Sequence, residues 1–322
     1  MTAVIRAGVI RNPKSQRNRA GPLKDRDVPP EVTIALPFTT EALAETVREF
    51  AAQGIRHLMV DGGDGTLRDV LGALPAAYGS DWPTIALCAS GNTNLAVADV
   101  GGFKRGERAV LHWYESLSGA HPTRISERRP IEVCWPDGSH APVYGFFVGC
   151  ANYARAVAMA TGGLREKGFF HGWAVSATIA GAAWQVLAGG KDNDWQRGST
   201  VTVAIDDAAP VSTPRFVLLA TSLDKLLMGL WPFWSASDAK GALHWLDIDA
   251  PAPRFGRVLP TLLRGKPKSW ALASGAYRSG RAAQITLTMA EPLIVDGEPF
   301  APDAQGQLLL QAGPLVRFHA PA

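Results

Sequence analysis

Residues 58–74 read LMVDGGDGTLRDVLGAL, and the fold class follows from how that stretch divides. Leu58, Met59 and Val60 form a short apolar run that ends in Asp61-Gly62-Gly63-Asp64-Gly65-Thr66. Beyond it, Leu67, Val70, Leu71 and Leu74 fall at i, i+3, i+4 and i+7, the spacing of one helix face. The glycines therefore stand where a strand hands over to a helix. They permit a sharp turn and a close backbone approach to a ligand. A helix N-terminus there offers N–H groups without intrahelical partners and the positive end of a dipole, which suits a phosphate. Asp64, in the middle, suits a magnesium ion that bridges phosphates. A tight strand–helix turn with Asp64 or Thr66 as helix cap accounts for the same residues, and on composition alone both readings stay open.

The flanking sequence repeats the pattern. Residues 3–10 form a strand candidate that runs into an 11–19 loop carrying Arg11, Lys14, Arg17 and Arg19. Pro13 keeps that strand from passing directly into a helix. Residues 32–36 form a second strand, after which Thr39 or Thr40 caps a helix over 41–53. Leu43, Val47, Phe50 and Ala51 give this helix its apolar stripe, and Gly54 ends it. Residues 55–60 deliver the glycine turn. Residues 84–88 lead into another small-residue turn, Ser90-Gly91-Asn92-Thr93-Asn94, ahead of the apolar run 95–100. A helix over 105–117 closes the unit. Such alternation implies an α/β domain, a parallel sheet with flanking helices whose ligands gather at the carboxyl ends of the strands.

After about residue 125 the rhythm changes. Strand-like segments at 130–135, 141–149, 200–205, 215–221, 242–248, 284–288 and 293–295 alternate with turn residues, which implies a mainly antiparallel second domain, a β-sandwich. Helical signals thin to 153–160, 173–188 and 254–263. Most of the ten tryptophans lie in this half. The segment 226–234, LLMGLWPFW, reads as core packing residue by residue, or as a patch for acyl chains or a bilayer interface. Residues 251–290 hold seven basic side chains and no acid, a solvated basic surface or a face for anionic lipid.

Composition bounds the rest. With 322 residues, 47% hydrophobic and 19% charged, the chain has material for a large core. A net charge of +3 is too small an excess to argue for nucleic acid. Three widely spaced cysteines fit neither a disulfide framework nor a metal site, and a cytoplasmic location is the expectation. No signal peptide is visible at the start. The uncharged run 173–190 is rich in alanine and glycine and reads as a helix buried in protein rather than a membrane span.

With these residues in view, the chain resembles the diacylglycerol kinase catalytic-domain family, above all its soluble bacterial lipid kinases. Gly62-Gly63-Asp64-Gly65-Thr66 is similar to the family's nucleotide motif, Asn12-Pro13-x-Ser15 to its first-strand loop, and Asp296-Gly297-Glu298 to its late Asp-Gly-Glu motif. Residues 90–94 stand where the family has Gly-Thr-x-Asn-Asp, but Asn92 replaces its threonine and Leu95 its aspartate. The resemblance implies an N-terminal domain like those of NAD kinase and phosphofructokinase (residues 1–127, with 301–322 as a candidate return to it) and a lipid-substrate β-sandwich over 128–300, with the active site between them. It also implies transfer of the ATP γ-phosphate to the hydroxyl of diacylglycerol or a related lipid alcohol. Phosphates would lie on the backbone of Gly62, Gly63, Asp64, Gly65, Thr66, Leu67 and Arg68 and on Asn12, Pro13, Lys14 and Ser15. Thr39 and Asn92 would contact nucleotide, Asp64 would hold Mg2+, and Glu298, beside Asp296, would accept the hydroxyl proton. The family's structural magnesium pair falls on Lys240-Gly241, so that site is expected to be missing unless Asp238 substitutes. Contact with the inner membrane is expected to be transient and peripheral. A homodimer is compatible with the sequence, and no nucleic-acid partner is expected. Two other readings share the motifs: a soluble kinase of NAD or a sugar phosphate, and a nucleotide- or lipid-binding regulator without catalysis.

Overall fold

In the computed structural model, residues 5–19, 25–91, 93–165, 194–237 and 239–322 are described. Asn92, Asp238 and the expected helix at 173–188 lie outside them. In chain order the elements begin with β1 (Ala7–Arg11), α1 (Gln16–Arg19), β2 (Val32–Ala35), α2 (Thr40–Ala52), β3 (His57–Gly62), α3 (Asp64–Tyr78), β4 (Thr84–Ala89), α4 (Leu95–Val100), α5 (Ala109–Leu117) and β5 (Thr123–Arg128). They continue with β6 (Ile131–Cys134), β7 (Val143–Gly145), β8 (Phe147–Ala151), α6 (Asn152–Arg165), α7 (Asp194–Arg197), β9 (Ser199–Ile205), β10 (Val211–Thr221) and β11 (Leu243–Asp249). The last are α8 (Phe255–Leu262), α9 (Ser269–Ala273), β12 (Tyr277–Ala282), β13 (Gln284–Thr288), β14 (Leu293–Val295), β15 (Glu298–Phe300), β16 (Gln307–Ala312) and β17 (Val316–Pro321). Two compact units result, Met1–Pro130 with Pro314–Ala322, and Ile131–Gly313. Among the described residues no helix is long and apolar enough to cross a membrane.

The first unit is an α/β domain on a six-stranded sheet of order β2-β1-β3-β4-β17-β5. β1 to β4 are parallel, β17 joins β4 in parallel, and β5 runs antiparallel to β17. Thr39 is the cap of α2, its hydroxyl oxygen accepting the Ala42 N–H at 3.1 Å, and Leu43, Val47 and Phe50 are the buried stripe. In α3, Leu67, Val70, Leu71 and Leu74 are buried as their spacing predicts. The opposite sheet face packs Val9, Met59, Ala86 and Cys88 under Phe103, Val110 and Trp113. Burial is nearly continuous along β1, β3 and β4 rather than alternating, because both faces of the sheet are covered.

The second unit is mainly antiparallel, built on an eleven-stranded sheet. Alternation along β10 sends Leu218 and Ala220 into one core, with Val148, Ile285, Leu287 and Leu310, and Val217 and Leu219 into another. That second core holds Trp231, Phe233 and Trp234 against Val258, Leu262 and Tyr277. Most of the aromatic bulk of 226–234 is thus core. The expected strand 141–149 is two strands, β7 and β8, because the Asp296 carboxylate accepts the N–H groups of Phe146 and Phe147 at the break. The expected return of 301–322 to the first unit is confined to its last residues. β16 pairs with β13 and β6 inside the second unit, and only β17 enters the first sheet.

Candidate active site

Three loops leave the carboxyl ends of neighbouring strands β1, β3 and β4, and hydrogen bonds lash them together. The Asn12 N–H donates to the Asp61 carbonyl at 3.0 Å and the Ser90 N–H to the Gly62 carbonyl at 3.1 Å. Asn12 Nδ2 donates to Thr66 Oγ1 at 2.8 Å, while its own Oδ1 accepts the Lys14 N–H. Glycine is required where the loops touch. A Cβ on Gly91 would lie 2.4 Å from the Gly63 Cα, and one on Gly62 would lie 2.5 Å from the Thr66 side chain. Gly65 is different, because a Cβ there would meet only the end of Arg68, at 4.0 Å. Glycine in a helix weakens it by about 1 kcal/mol relative to alanine, and among the described residues no close packing accounts for this one.

The helix α3 begins without a side-chain cap, on Gly63. Its first intrahelical bond runs from the Leu67 N–H to the Gly63 carbonyl, so the N–H groups of residues 64–66 precede it. The Leu67 side chain is buried in the core, and Arg68 turns to Asp69 at 2.8 Å. Neither Asp64 nor Thr66 is the cap of α3. Asp64 instead closes the start of α4, accepting the Leu95 N–H at 3.0 Å and the Ala96 N–H at 3.1 Å. Burial pushes its carboxyl up, opposed by those backbone donors. Both Asp64 oxygens are engaged by backbone N–H groups, so an Mg2+ ion at this turn would be held mostly by phosphates and water, with Asp64 as at most one ligand. A cavity of about 10 Å³ lined by Gly62, Gly63, Asp64, Leu67, Asn94 and Ala96 has room for one water at most, so a phosphate would lie over the turn.

Beneath the loops sits a charged hub that the motifs do not contain. Asp61, 1% exposed, accepts from Arg11 Nε and Ser90 Oγ, each at 2.5 Å, and from Asn18 Nδ2 at 3.4 Å. Arg11 also pairs with Asp25 at 2.6 Å. Burial works against the charge of Arg11, and Asp25 and Asp61 outweigh it. The signal in the sequence is register. Arg11 and Asp61 are opposed partners at the ends of β1 and β3, opposite charges where both strands enter polar loops.

The remaining expected residues are placed as follows. Lys14 is exposed and Ser15 buried in the turn that opens α1, and Pro13 lies between Asn12 and Lys14. Thr39 stands at the end of β2, beyond β1 from the glycine turn. Asp296 and Glu298 belong to the second unit: Asp296 and Gly297, at φ 47° and 90°, form the two-residue hairpin turn between β14 and β15, and Glu298 is the first residue of β15. Such positive angles at both central residues are what Asp-Gly hairpins adopt. The Asp296 carboxylate is occupied by the Phe146 and Phe147 N–H groups, whereas Glu298 is exposed on β15. In the second unit Lys240 is exposed, and Gly241, at φ 110°, has no room for a Cβ against Ala282.

Comparison with known proteins bears on this geometry. Residues 6–120 match the diacylglycerol kinase catalytic domain family. No curated protein matches the chain. Among solved structures, a proposed diacylglycerol kinase from Bacillus anthracis str. Sterne is similar at a TM-score of 0.63 and 13% identity, covering 99% of this chain and 98% of its own. A diacylglycerol kinase from the same organism is similar at a TM-score of 0.60 and 13% identity, covering 98% and 97%. These likenesses show the fold, and the family match supports a kinase.

Proposed function

We propose that this chain, whose residues 6–120 carry the diacylglycerol kinase catalytic-domain match, transfers the γ-phosphate of ATP to the hydroxyl of a lipid alcohol such as diacylglycerol. The observation that carries the reading is Gly65. Its backbone is left bare at the uncapped start of α3, beside Asp64 and inside the matched segment. Backbone N–H groups of residues 64–66 bind phosphate oxygens, and Asn12, Lys14 and Ser15 approach from the neighbouring loop. Thr39 and Asn92 contact the nucleotide. Asp64 would hold Mg2+, which would supply neutralisation of the phosphate charge. Glu298 accepts the proton of the attacking hydroxyl, and Asp296 keeps the hairpin that carries it tied to the backbone of Phe146 and Phe147.

Phosphoryl transfer asks little covalent chemistry of a protein, so positioning and charge neutralisation carry most of the rate. Supporting the reading, the loops that would position the phosphates are cross-linked through Asn12, Thr66, Asp61 and Ser90. The test is a panel of mixed micelles holding diacylglycerol, monoacylglycerol, ceramide, sphingosine or phosphatidylglycerol, each incubated with ATP radiolabelled at the γ-phosphate. Label is expected in at least one lipid. Label in none of them would remove the lipid-kinase reading.

A further inference from the structure

The second unit has an apolar tip that its core leaves outside. Trp231, Phe233 and Trp234 are packed inward, but Met228 is 83% and Leu230 39% exposed. Met228 sits in the one-turn helix Leu227–Gly229 at φ 58°, a backbone conformation that side chains rarely adopt. The turn rests on residues 263–266. The Trp231 N–H donates to the Leu263 carbonyl at 2.8 Å. Gly265 lies so near that a Cβ on it would be 2.5 Å from the Phe233 carbonyl oxygen and 2.9 Å from that of Trp231. Arg264 and Lys266 therefore flank the base of the tip. Arg254 stacks over Trp270 at 5.5 Å, which joins the start of α8 to α9, where Leu272 is 45% exposed.

The segment beneath the tip carries charge of one sign, while the exposed pair Asp224 and Lys225 precedes the tip on its other side. Of the seven basic residues in 251–290, Arg278 is taken by Asp247 and Asp249, and Arg281 donates to the Gly241 carbonyl. The other five, Arg254, Arg257, Arg264, Lys266 and Lys268, are exposed in a stretch without an acid. We propose that this tip docks the second unit on an anionic bilayer surface. Met228 and Leu230 enter the headgroup boundary, and Arg264 and Lys266, followed by Lys268 and Arg254, meet acidic headgroups. Long basic side chains lay their stems on apolar surface with the charge in the polar layer, and apolar area combined with basic charge is what binds such a surface. Two protruding side chains are too little for a stable protein interface, which needs on the order of 1,000 Å². The proposal complements the lipid-kinase reading by giving the acceptor's membrane a landing surface, yet it is measured without turnover, so the two fail separately.

The test is co-sedimentation of the full chain with vesicles of phosphatidylcholine alone and of phosphatidylcholine with phosphatidylglycerol. Binding is expected on the anionic vesicles and is expected to weaken with added salt. Arg264→Gln and Lys266→Gln should each lower the partition coefficient about fivefold. Met228→Ser with Leu230→Ser should lower it again while leaving the salt dependence in place. These residues are exposed, so the melting temperature should stay that of the parent chain. Absence of binding to anionic vesicles, or binding that none of the four substitutions reduces, overturns the proposal. A change of oligomeric state in the variants with vesicle binding intact overturns it too, and assigns the tip to a protein partner. If vesicles bind but no lipid is phosphorylated, the docking surface stands and the lipid-kinase reading falls.

Discussion

Asp61 and Arg11 illustrate how a single pair of side chains can fix the loops of which the proposed phosphate site is made. Both are buried, and their pairing involves Asp25, Ser90 and Asn18 as well. Removing one member of such a pair strands the other in a medium of low dielectric, at about 3–5 kcal/mol, whereas removing both with apolar replacements is far cheaper. Asp61→Leu is therefore expected to lower the urea midpoint sharply, and Asp61→Leu with Arg11→Met to recover most of the loss. Equal loss in the single and double variants would show that the pair is not the source. Two histidines make a second prediction at this scale. Burial lowers the pKa of His57, with Arg56 and Arg317 adding to it, and burial followed by His57 lowers that of His319. The unfolded chain then binds more protons than the folded one below about pH 6.5, so this contribution to stability is complete above that pH and is lost on acidification. Unfolding in urea is expected earlier as pH falls from about 7.5 to about 5.5, and His319→Phe should flatten that dependence.

At the scale of elements, the glycine turn separates into residues that serve the fold and one, Gly65, whose bare backbone the proposed phosphate site uses. Gly63 and Gly91 let the loops after β3 and β4 touch, backbone to backbone. Gly91→Ala should force those loops apart and reduce both stability and ATP affinity. Gly65→Ala meets no obstacle and should leave α3 as stable or up to about 1 kcal/mol more so, yet weaken ATP binding by calorimetry. If Gly65→Ala binds ATP like the parent chain, the bare backbone has another purpose. The strand–turn–helix units were legible in the sequence because their signals are local: Thr39 before an apolar stripe, and glycine between a strand and a helix. The role of Asp64 as a brace on α4 was not, because the N–H groups it accepts lie 31 and 32 residues away. The aromatic segment 226–234 divided into core and tip only once α8 was seen to cover it.

At the scale of the molecule, the last strand holds the first sheet together. β17 lies between β4 and β5, parallel to one and antiparallel to the other, and Val316, Phe318 and Ala320 are buried. Composition marks 316–321 as apolar, but no local signal says which sheet receives it, since β16 just before it pairs elsewhere. A chain ending at Gly313 is expected to lose cooperative melting of the first unit and to be cut there early by protease, and unchanged melting would contradict this. The central claim is phosphoryl transfer to a lipid from the turn that contains Asp64. It is tested most directly by giving the full chain Mg2+ and ATP labelled at the γ-phosphate, with diacylglycerol micelles and NAD present together, alongside an Asp64→Ala variant shown to be folded by its melting curve. The prediction is label in the lipid with the parent chain and none with the variant. Label in NAD alone, or full lipid labelling by Asp64→Ala, would contradict it.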